Sequence, residues 1–122
     1  MKAVYVATPH SARPVFYRGL AMEICLHVLY AGAMPLASHV FYGEWLHDDI
    51  AEHRTLALEA SNWMVKRSDA MIVVDDGTAS AGRDHEEGYA QALQLPTLRL
   101  TTEPRLLPHY VPAISEFVRG LK

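Results

Sequence analysis

The sequence predicts an α/β domain, a small doubly wound parallel sheet of four to five strands in a three-layer sandwich. Three observations favour this class. Strand-like and helix-like segments alternate along the chain, the strand-like segments are almost continuously apolar, and 122 residues suit a single domain, residues 1–122. Because helices cover both faces of a parallel sheet, its strands need no alternation of apolar and polar residues.

The apolar pattern and the turn residues give the order of the elements. The predicted strands are residues 2–8, 34–40, 70–75 and 96–100. The predicted helices are 15–31, 48–67, 84–94 and one near 111–120. Loops or a single turn are expected at 41–46 and at 101–109. With so few strands, the expected sheet is flavodoxin-like or Rossmann-like.

Three signals support the helix ends. Gly32 is a fitting stop for the first helix. Asp48 or Asp49 is a candidate N-cap of the second. Asp84, with Glu87 three residues later, forms a candidate capping box for the third, which would then begin at His85.

Composition and charge exclude several classes of protein. Half of the residues are apolar, which is enough to build a packed core. The net charge is −3, whereas a nucleic-acid-binding protein is usually basic, so we do not expect that function. No apolar run approaches the roughly 20 residues of a membrane helix. The single cysteine, Cys25, and the absence of a leader pattern favour a cytoplasmic protein. The seven histidines lack metal-ligand spacing, so we expect neither a metal site nor a cofactor.

The segment 75–90 carries the sharpest chemical signal. Ligands of parallel sheets bind beyond the carboxyl ends of the strands, which directs attention to loops 7–14, 39–48 and 75–84. In the helix that follows the last of these, Glu86 shares a face with Ala90 and Leu93, whereas Glu87 falls on the opposite, solvent face. A carboxylate on the apolar side of a first turn suits a nucleophile or base. The alternative is a glutamate that only complements the helix dipole.

The loop before this helix has the composition of an anion-binding turn. Gly77 to Gly82 supplies backbone N–H groups together with the hydroxyls of Thr78 and Ser80, and Arg83 adds a positive charge. The lysine of a Walker A loop is missing.

These motifs together resemble the nucleoside 2′-deoxyribosyltransferase superfamily, which includes 2′-deoxynucleoside 5′-monophosphate N-hydrolases. The pattern Ser80-x-Gly82-x-x-x-Glu86-x-Gly88-x-Ala90 follows a strand preceded by Asp69. The stretch VYVATPHS is similar to the first strand of that superfamily, and ASHVF to the end of its second. The resemblance spans residues 2–100 and is nearest to an uncharacterised branch of small phage and bacterial proteins.

The resemblance implies roles for individual residues. Glu86 matches the nucleophile that attacks the anomeric carbon, and Tyr5 matches a tyrosine that hydrogen-bonds this carboxylate. Ser80 matches a serine that contacts the 5′-phosphate, which favours a nucleotide substrate. The remaining expected substrate-binding residues, several of which also suit purely structural roles, are Thr8, Arg13, His39, Asp75 and Gly82.

This sequence departs from the superfamily at the acid that protonates the departing base. Where the superfamily carries a second carboxylate, this sequence has Ser61 and Asn62. Glu59 lies about one helical step away, and the other candidates are Asp69 and Asp75. Asp69 is taken as the catalytic candidate, although it also suits a cap at the start of its strand, and Asp75 also suits the end of that strand.

We therefore expect N-glycosidic bond cleavage or deoxyribosyl transfer on a nucleoside or nucleoside 5′-monophosphate, with Glu86 as the nucleophile. The alternative is a non-catalytic nucleotide-binding module on the same fold. A small domain this rich in apolar residues also predicts a homodimer or higher homo-oligomer, with no nucleic-acid or membrane partner.

Overall fold

Four parallel strands form one sheet in the part of the chain that a computed structural model describes, residues 1–43, 45–47, 49–101 and 108–121. The strands are β1 (Ala3–Ala7), β2 (Met34–Leu36), β3 (Ala70–Val74) and β4 (Thr97–Leu100). The helices are α1 (Pro14–Tyr30), α2 (Ser38–Tyr42), α3 (Ala51–Lys66), α4 (Ala81–Ala92) and α5 (Val111–Arg119). Helices cover both faces of the sheet, so the predicted three-layer α/β class is confirmed.

Successive residues of the two central strands point to opposite faces of the sheet. One face packs against α1 and α5 through Val4, Val6, Ile72 and Val74. The other packs against α3 and α4 through Tyr5, Ala7, Met71 and Val73. Because both sets are buried, the strands are apolar throughout, which is the pattern that predicted a parallel sheet.

The sheet order β2-β1-β3-β4 places the switch point between β1 and β3. The chain leaves β1 towards β2 on one side, and later returns past β1 to form β3 on the other. The connections after β1 and β3 therefore diverge, and a crevice opens at the carboxyl edge of the sheet.

The second predicted strand is too long. The strand ends at Leu36, and residues Ser38–Tyr42 form the short helix α2, so His39 lies on a helix and not at a strand end. The prediction failed because periodicity cannot separate a strand from a buried helical turn in a short apolar run.

The start of α3 also differs from the prediction. Its N-cap is Ile50, with no side-chain cap, so the predicted cap at Asp49 is wrong. Asp48 lies outside the described residues, as does most of the predicted loop 101–109. In the described ranges, no helix is both long and apolar enough to cross a membrane.

Candidate active site

A pocket of about 410 Å³ lies at the carboxyl edge of the sheet, beside the switch point. Its walls come from the segments that follow three strands and from the inner side of α3. The lining residues are His10 and Ser11 after β1, Ser38 and His39 on α2, Arg54, Ala57, Leu58 and Ser61 on α3, and Ala79 to Gly82 with Glu86. The three predicted loops thus meet in one place, whereas the contribution of α3 was not predicted.

Glu86 lies in the wall of this pocket and exposes 4% of its surface. Its Oε2 atom receives hydrogen bonds from three hydroxyl groups on three other elements. Tyr5 on β1 donates to it, Ser61 on α3 donates over 2.5 Å, and Ser38 on α2 lies at 3.4 Å. The Tyr5 hydroxyl also lies 2.9 Å from that of Ser38, so the donors form one connected cluster. The contact between Tyr5 and Glu86 is the hydrogen bond that the resemblance implied for Tyr5.

The second carboxylate oxygen of Glu86 has different surroundings. Oε1 is buried and makes no hydrogen bond to any part of the protein that the structure describes. A buried polar atom without a partner is costly, and it is uncommon outside functional sites. The carboxylate therefore has one oxygen held by donors and one buried oxygen that no described residue satisfies.

Burial sets the protonation behaviour of Glu86. It raises the pKa of Glu86 from the ordinary 4.5 to about 6, and the hydrogen bonds from Ser61, Tyr5 and Ser38 limit that rise. The pKa of Tyr5 is raised well above its usual 10 by its own burial and by the neighbouring carboxylate, so the phenol stays protonated as a donor. At pH 7 the ionised form of Glu86 predominates.

Ser80, and not Asp84, is the N-cap of α4. The Ser80 hydroxyl accepts a hydrogen bond from the Arg83 backbone N–H over 3.2 Å, and the helix begins at Ala81. Serine and aspartate are both good N-caps, and Ser80 and Asp84 lie only four residues apart. The capping-box pattern therefore led to the wrong prediction, Asp84. As a consequence Glu86 lies in the second turn of α4 and not in the first.

Arg83 does not offer its charge to the pocket as the sequence predicted. Its guanidinium group is buried and donates to the carbonyl oxygens of Val74 and Thr78, over 3.2 and 3.0 Å. From the other side of the same loop, the Tyr17 hydroxyl lies 2.5 Å from Asp76 and 2.9 Å from the Thr78 hydroxyl. These contacts fix the loop between β3 and α4, and thereby the position of the helix start.

The first turn of α4 forms the polar end of the pocket. Ser80, Ala81 and Gly82 line the pocket, and backbone N–H groups in a first helical turn have no partner within the helix. Arg54 lines the same pocket from α3. A helix N-terminus and a guanidinium group in one pocket suit an anionic ligand group.

Two of the predicted carboxylates lie away from the pocket. Asp69 precedes β3 at the amino edge of the sheet, where its carboxylate accepts from the Ala3 N–H over 2.8 Å. The length of β3 separates it from Glu86, so the structure does not bring the catalytic candidate Asp69 to the site. Asp75 directly follows β3 and forms an ion pair with Arg99, with 2.9 Å between the charged atoms. The hydrogen bond from Arg99 lowers the pKa of the Asp75 carboxyl group. Neither carboxylate lines the pocket.

Thr8 and Arg13 also lie outside the pocket lining. Thr8 is buried directly after β1. Arg13 is exposed at the N-cap position of α1, with its guanidinium carbon 4.1 Å from the centre of the Phe16 ring. Of the predicted binding residues, the structure brings Ser80, Gly82 and His39 together with Glu86.

Sequence reasoning missed two charged or titratable residues of the pocket, His10 and Arg54. His10 had a usable signal, because it follows Pro9 in the first of the three loops singled out. Arg54 is one of several polar residues on α3, and the pattern of polar residues along this helix does not reveal which of them faces a pocket. No cluster of three or more metal-ligating side chains occurs among the described residues.

The chain belongs to the family described as domain of unknown function DUF7768, whose model matches residues 2–100. All residues of the pocket lie within the matched range, whereas α5 lies beyond it. Comparison with curated proteins finds no match.

Proposed function

We propose that this DUF7768 domain cleaves the N-glycosidic bond of a nucleoside or nucleoside 5′-monophosphate, by hydrolysis or by transfer of the sugar, with Glu86 as the carboxylate nucleophile. The observation that carries the proposal is the asymmetry of Glu86. Three hydroxyl groups hold Oε2, while Oε1 is buried and has no partner among the described residues, and Glu86 itself forms part of the pocket wall.

The chemistry of glycosidic cleavage suits this arrangement. Positive charge develops at the anomeric carbon as the bond to the base breaks, and a nearby carboxylate stabilises or traps that carbon. Oε1 forms the bond to the sugar, and the electron pair of the broken bond leaves with the base nitrogen. The donors on Oε2 keep the carboxylate in place, and a pKa of about 6 leaves it ionised at neutral pH. These steps use only side chains and substrate.

The polar end of the pocket supports a 5′-phosphate on the substrate. The start of α4 and Arg54 together offer backbone N–H groups and a positive charge. Glu86 lies five residues after Ala81 in α4, which is about 7.5 Å along the helix axis. That separation is comparable with the length of a sugar phosphate. The resemblance to the nucleoside 2′-deoxyribosyltransferase superfamily, in which a serine at the Ser80 position contacts phosphate, adds to this support.

The test is base release by wild-type protein and by the Glu86→Gln variant. Nucleosides and 5′-monophosphates, in deoxy and ribo forms, are incubated with each protein, and free base is measured by chromatography. We expect wild-type protein to release base from at least one nucleotide. Glu86→Gln should lower that rate by about 10³-fold or more, because an amide is a poor nucleophile, while nucleotide binding persists.

The matched control is Glu59→Gln, which makes the same chemical change at an exposed position of α3 outside the pocket lining. Its rate should equal that of the wild type. An active wild-type protein that keeps its rate in Glu86→Gln would contradict the assignment of the nucleophile.

A non-catalytic nucleotide-binding module is the second candidate. The observation in its favour is Ser61, which contacts Glu86 from the helix where the resembled superfamily carries its second carboxylate. Thermal stabilisation by one nucleotide, without release of its base, would favour this candidate over the enzyme.

A further inference from the structure

The proposed cleavage needs an acid that protonates the departing base, and the described lining of the pocket does not offer a second carboxylate for this step. Among the described residues that line it, Glu86 is the sole carboxylate. The Ser61 hydroxyl already donates a hydrogen bond to Glu86. The side-chain oxygen of Asn62 forms a hydrogen bond with Nε2 of the exposed His85, at 2.8 Å. Asp69 lies at the far edge of the sheet, beside Ala3.

Two imidazole rings line the same pocket as Glu86. His10 comes from the loop after β1, and His39 from the first turn of α2. Their rings are stacked, with centres 3.9 Å apart and planes inclined by 3°. Both side chains are half-buried, and both also border a smaller cavity beside Tyr42. Two separate segments of the chain thus hold the rings in one fixed arrangement.

The pair of His10 and His39 is connected to Glu86 through the backbone of α2. Ser38, whose hydroxyl contacts both Tyr5 and Glu86, is the residue directly before His39. The backbone that carries His39 is therefore anchored at the nucleophile. Ala57 and Leu58 add an apolar stretch to the wall of this pocket, which suits a flat aromatic base.

We propose that the stacked pair of His10 and His39 is the general acid of the reaction and carries one proton that it delivers to the departing base. Imidazole is the side chain that gains and loses a proton near neutral pH. Two protonated rings at 3.9 Å would repel each other, which disfavours a doubly protonated pair. This inference rests on the proposed function, because an acid is needed only where a glycosidic bond breaks.

The proton and electron balance is complete with these groups. As the bond from the anomeric carbon to the base nitrogen breaks, its electron pair goes to the base, and the imidazolium proton neutralises that base. Glu86 Oε1 forms an ester with the sugar in the same step. In hydrolysis, water then attacks the anomeric carbon, its proton returns to the imidazole pair, and the Glu86 carboxylate is released.

The experiment compares a leaving group that needs a proton with one that does not. The first substrate is the nucleotide that wild-type protein cleaves. The second carries 4-nitrophenol in place of the base on the same sugar phosphate, and nitrophenolate departs without protonation. The variant His10→Asn/His39→Asn should release base at least about 10²-fold more slowly than wild type, because general acid catalysis contributes that much. Its release of nitrophenol in the first turnover, measured with protein in excess over substrate, should stay within about threefold of the wild type, since that step uses only the nucleophile.

Equal losses on both substrates would overturn the inference, since they indicate a structural role of the two rings. An unchanged rate of base release would overturn it as well. If the double variant does not fold, His39→Ala is assayed with added imidazole. Selective recovery of base release supports the inference, and no recovery overturns it.

The two proposals fail in different ways. A wild-type protein that releases neither base nor nitrophenol ends the proposed function and this inference together. A wild-type protein that releases both, with loss of both in Glu86→Gln and of neither in the histidine variants, preserves the proposed function and removes the histidine pair.

Discussion

Glu86 is a buried carboxylate whose two oxygens have different surroundings. Oε2 is held by hydroxyl groups, and Oε1 has no partner among the described residues. An ionised group in this position costs stability, since the hydrogen bonds only partly replace lost hydration. The proposed role of Glu86 as a nucleophile would account for this cost in stability.

The first prediction concerns stability and pH. Glu86 has a folded-state pKa of about 6 and an ordinary value of 4.5, so the native state holds this proton more tightly than the unfolded state. Its contribution to stability is fully present below pH 4.5 and is lost as the pH rises through 6. Glu86→Gln stays neutral, so it should be more stable than wild type by about 2 kcal/mol above pH 6.5, with a much smaller advantage at pH 4.5.

Urea unfolding at pH 4.5 and pH 7.5 measures this difference, and Glu59→Gln on the exposed side of α3 is the control. A stability gain from Glu86→Gln that is equal at both pH values would contradict the raised pKa.

At the scale of residues, the sequence indicated Glu86 and Tyr5 but not the whole cluster around them. Glu86 follows a recognisable loop, and the resemblance paired it with Tyr5. Ser38 and Ser61 are small hydroxyl residues on other elements, and nothing in their local pattern distinguishes a donor to a carboxylate from an ordinary buried serine. Their role depends on tertiary contacts that the sequence does not display.

Among the elements, α4 shows why helical patterns mislead at the candidate site. Its buried side includes three charged residues, Arg83, Glu86 and Glu87. The sequence placed Glu87 in solvent, because an amphipathic helix usually turns its charges outward. In the structure Glu87 is buried and pairs with Arg99 of β4, so the prediction for Glu87 is wrong.

The second prediction tests the start of this helix. Ser80→Ala should lower the free energy of unfolding by about 1 kcal/mol, because it removes the side-chain acceptor of the Arg83 N–H. Asp84→Asn, the control at the cap that the sequence favoured, should change it by only a few tenths of a kcal/mol, since Asp84 is exposed. Chemical denaturation of both variants measures this contrast. A larger loss in Asp84→Asn than in Ser80→Ala would contradict the assigned cap.

For the whole molecule, the parallel direction of the strands followed from the sequence, whereas the order β2-β1-β3-β4 became known from the structure. Apolar strands alternate with helices, and short crossovers between parallel strands permit few arrangements. The expected homo-oligomer stays a prediction. It agrees with the large apolar side chains that α1 exposes, which are Val15, Met22, Leu26, Leu29 and Tyr30.

The pocket itself is a property of the assembled fold. Residues from three inter-strand segments and from α3 meet only because β1 and β3 lie side by side at the switch point. The sequence predicted the three segments from the general rule for such sheets. It did not predict the histidine pair, because His10 and His39 are 29 positions apart and their stacking appears only in the folded chain.

If Glu86 forms a bond to the sugar, the glycosyl-protein that results can be trapped and identified. A nucleotide substrate with fluorine at the 2′ carbon slows the loss of the sugar from the carboxylate, because fluorine destabilises the positively charged transition state. We predict that the protein gains the mass of the fluorinated sugar phosphate, that the modified peptide contains Glu86, and that Glu86→Gln gains nothing. Release of base without such an adduct, or an adduct on another residue, would contradict the account.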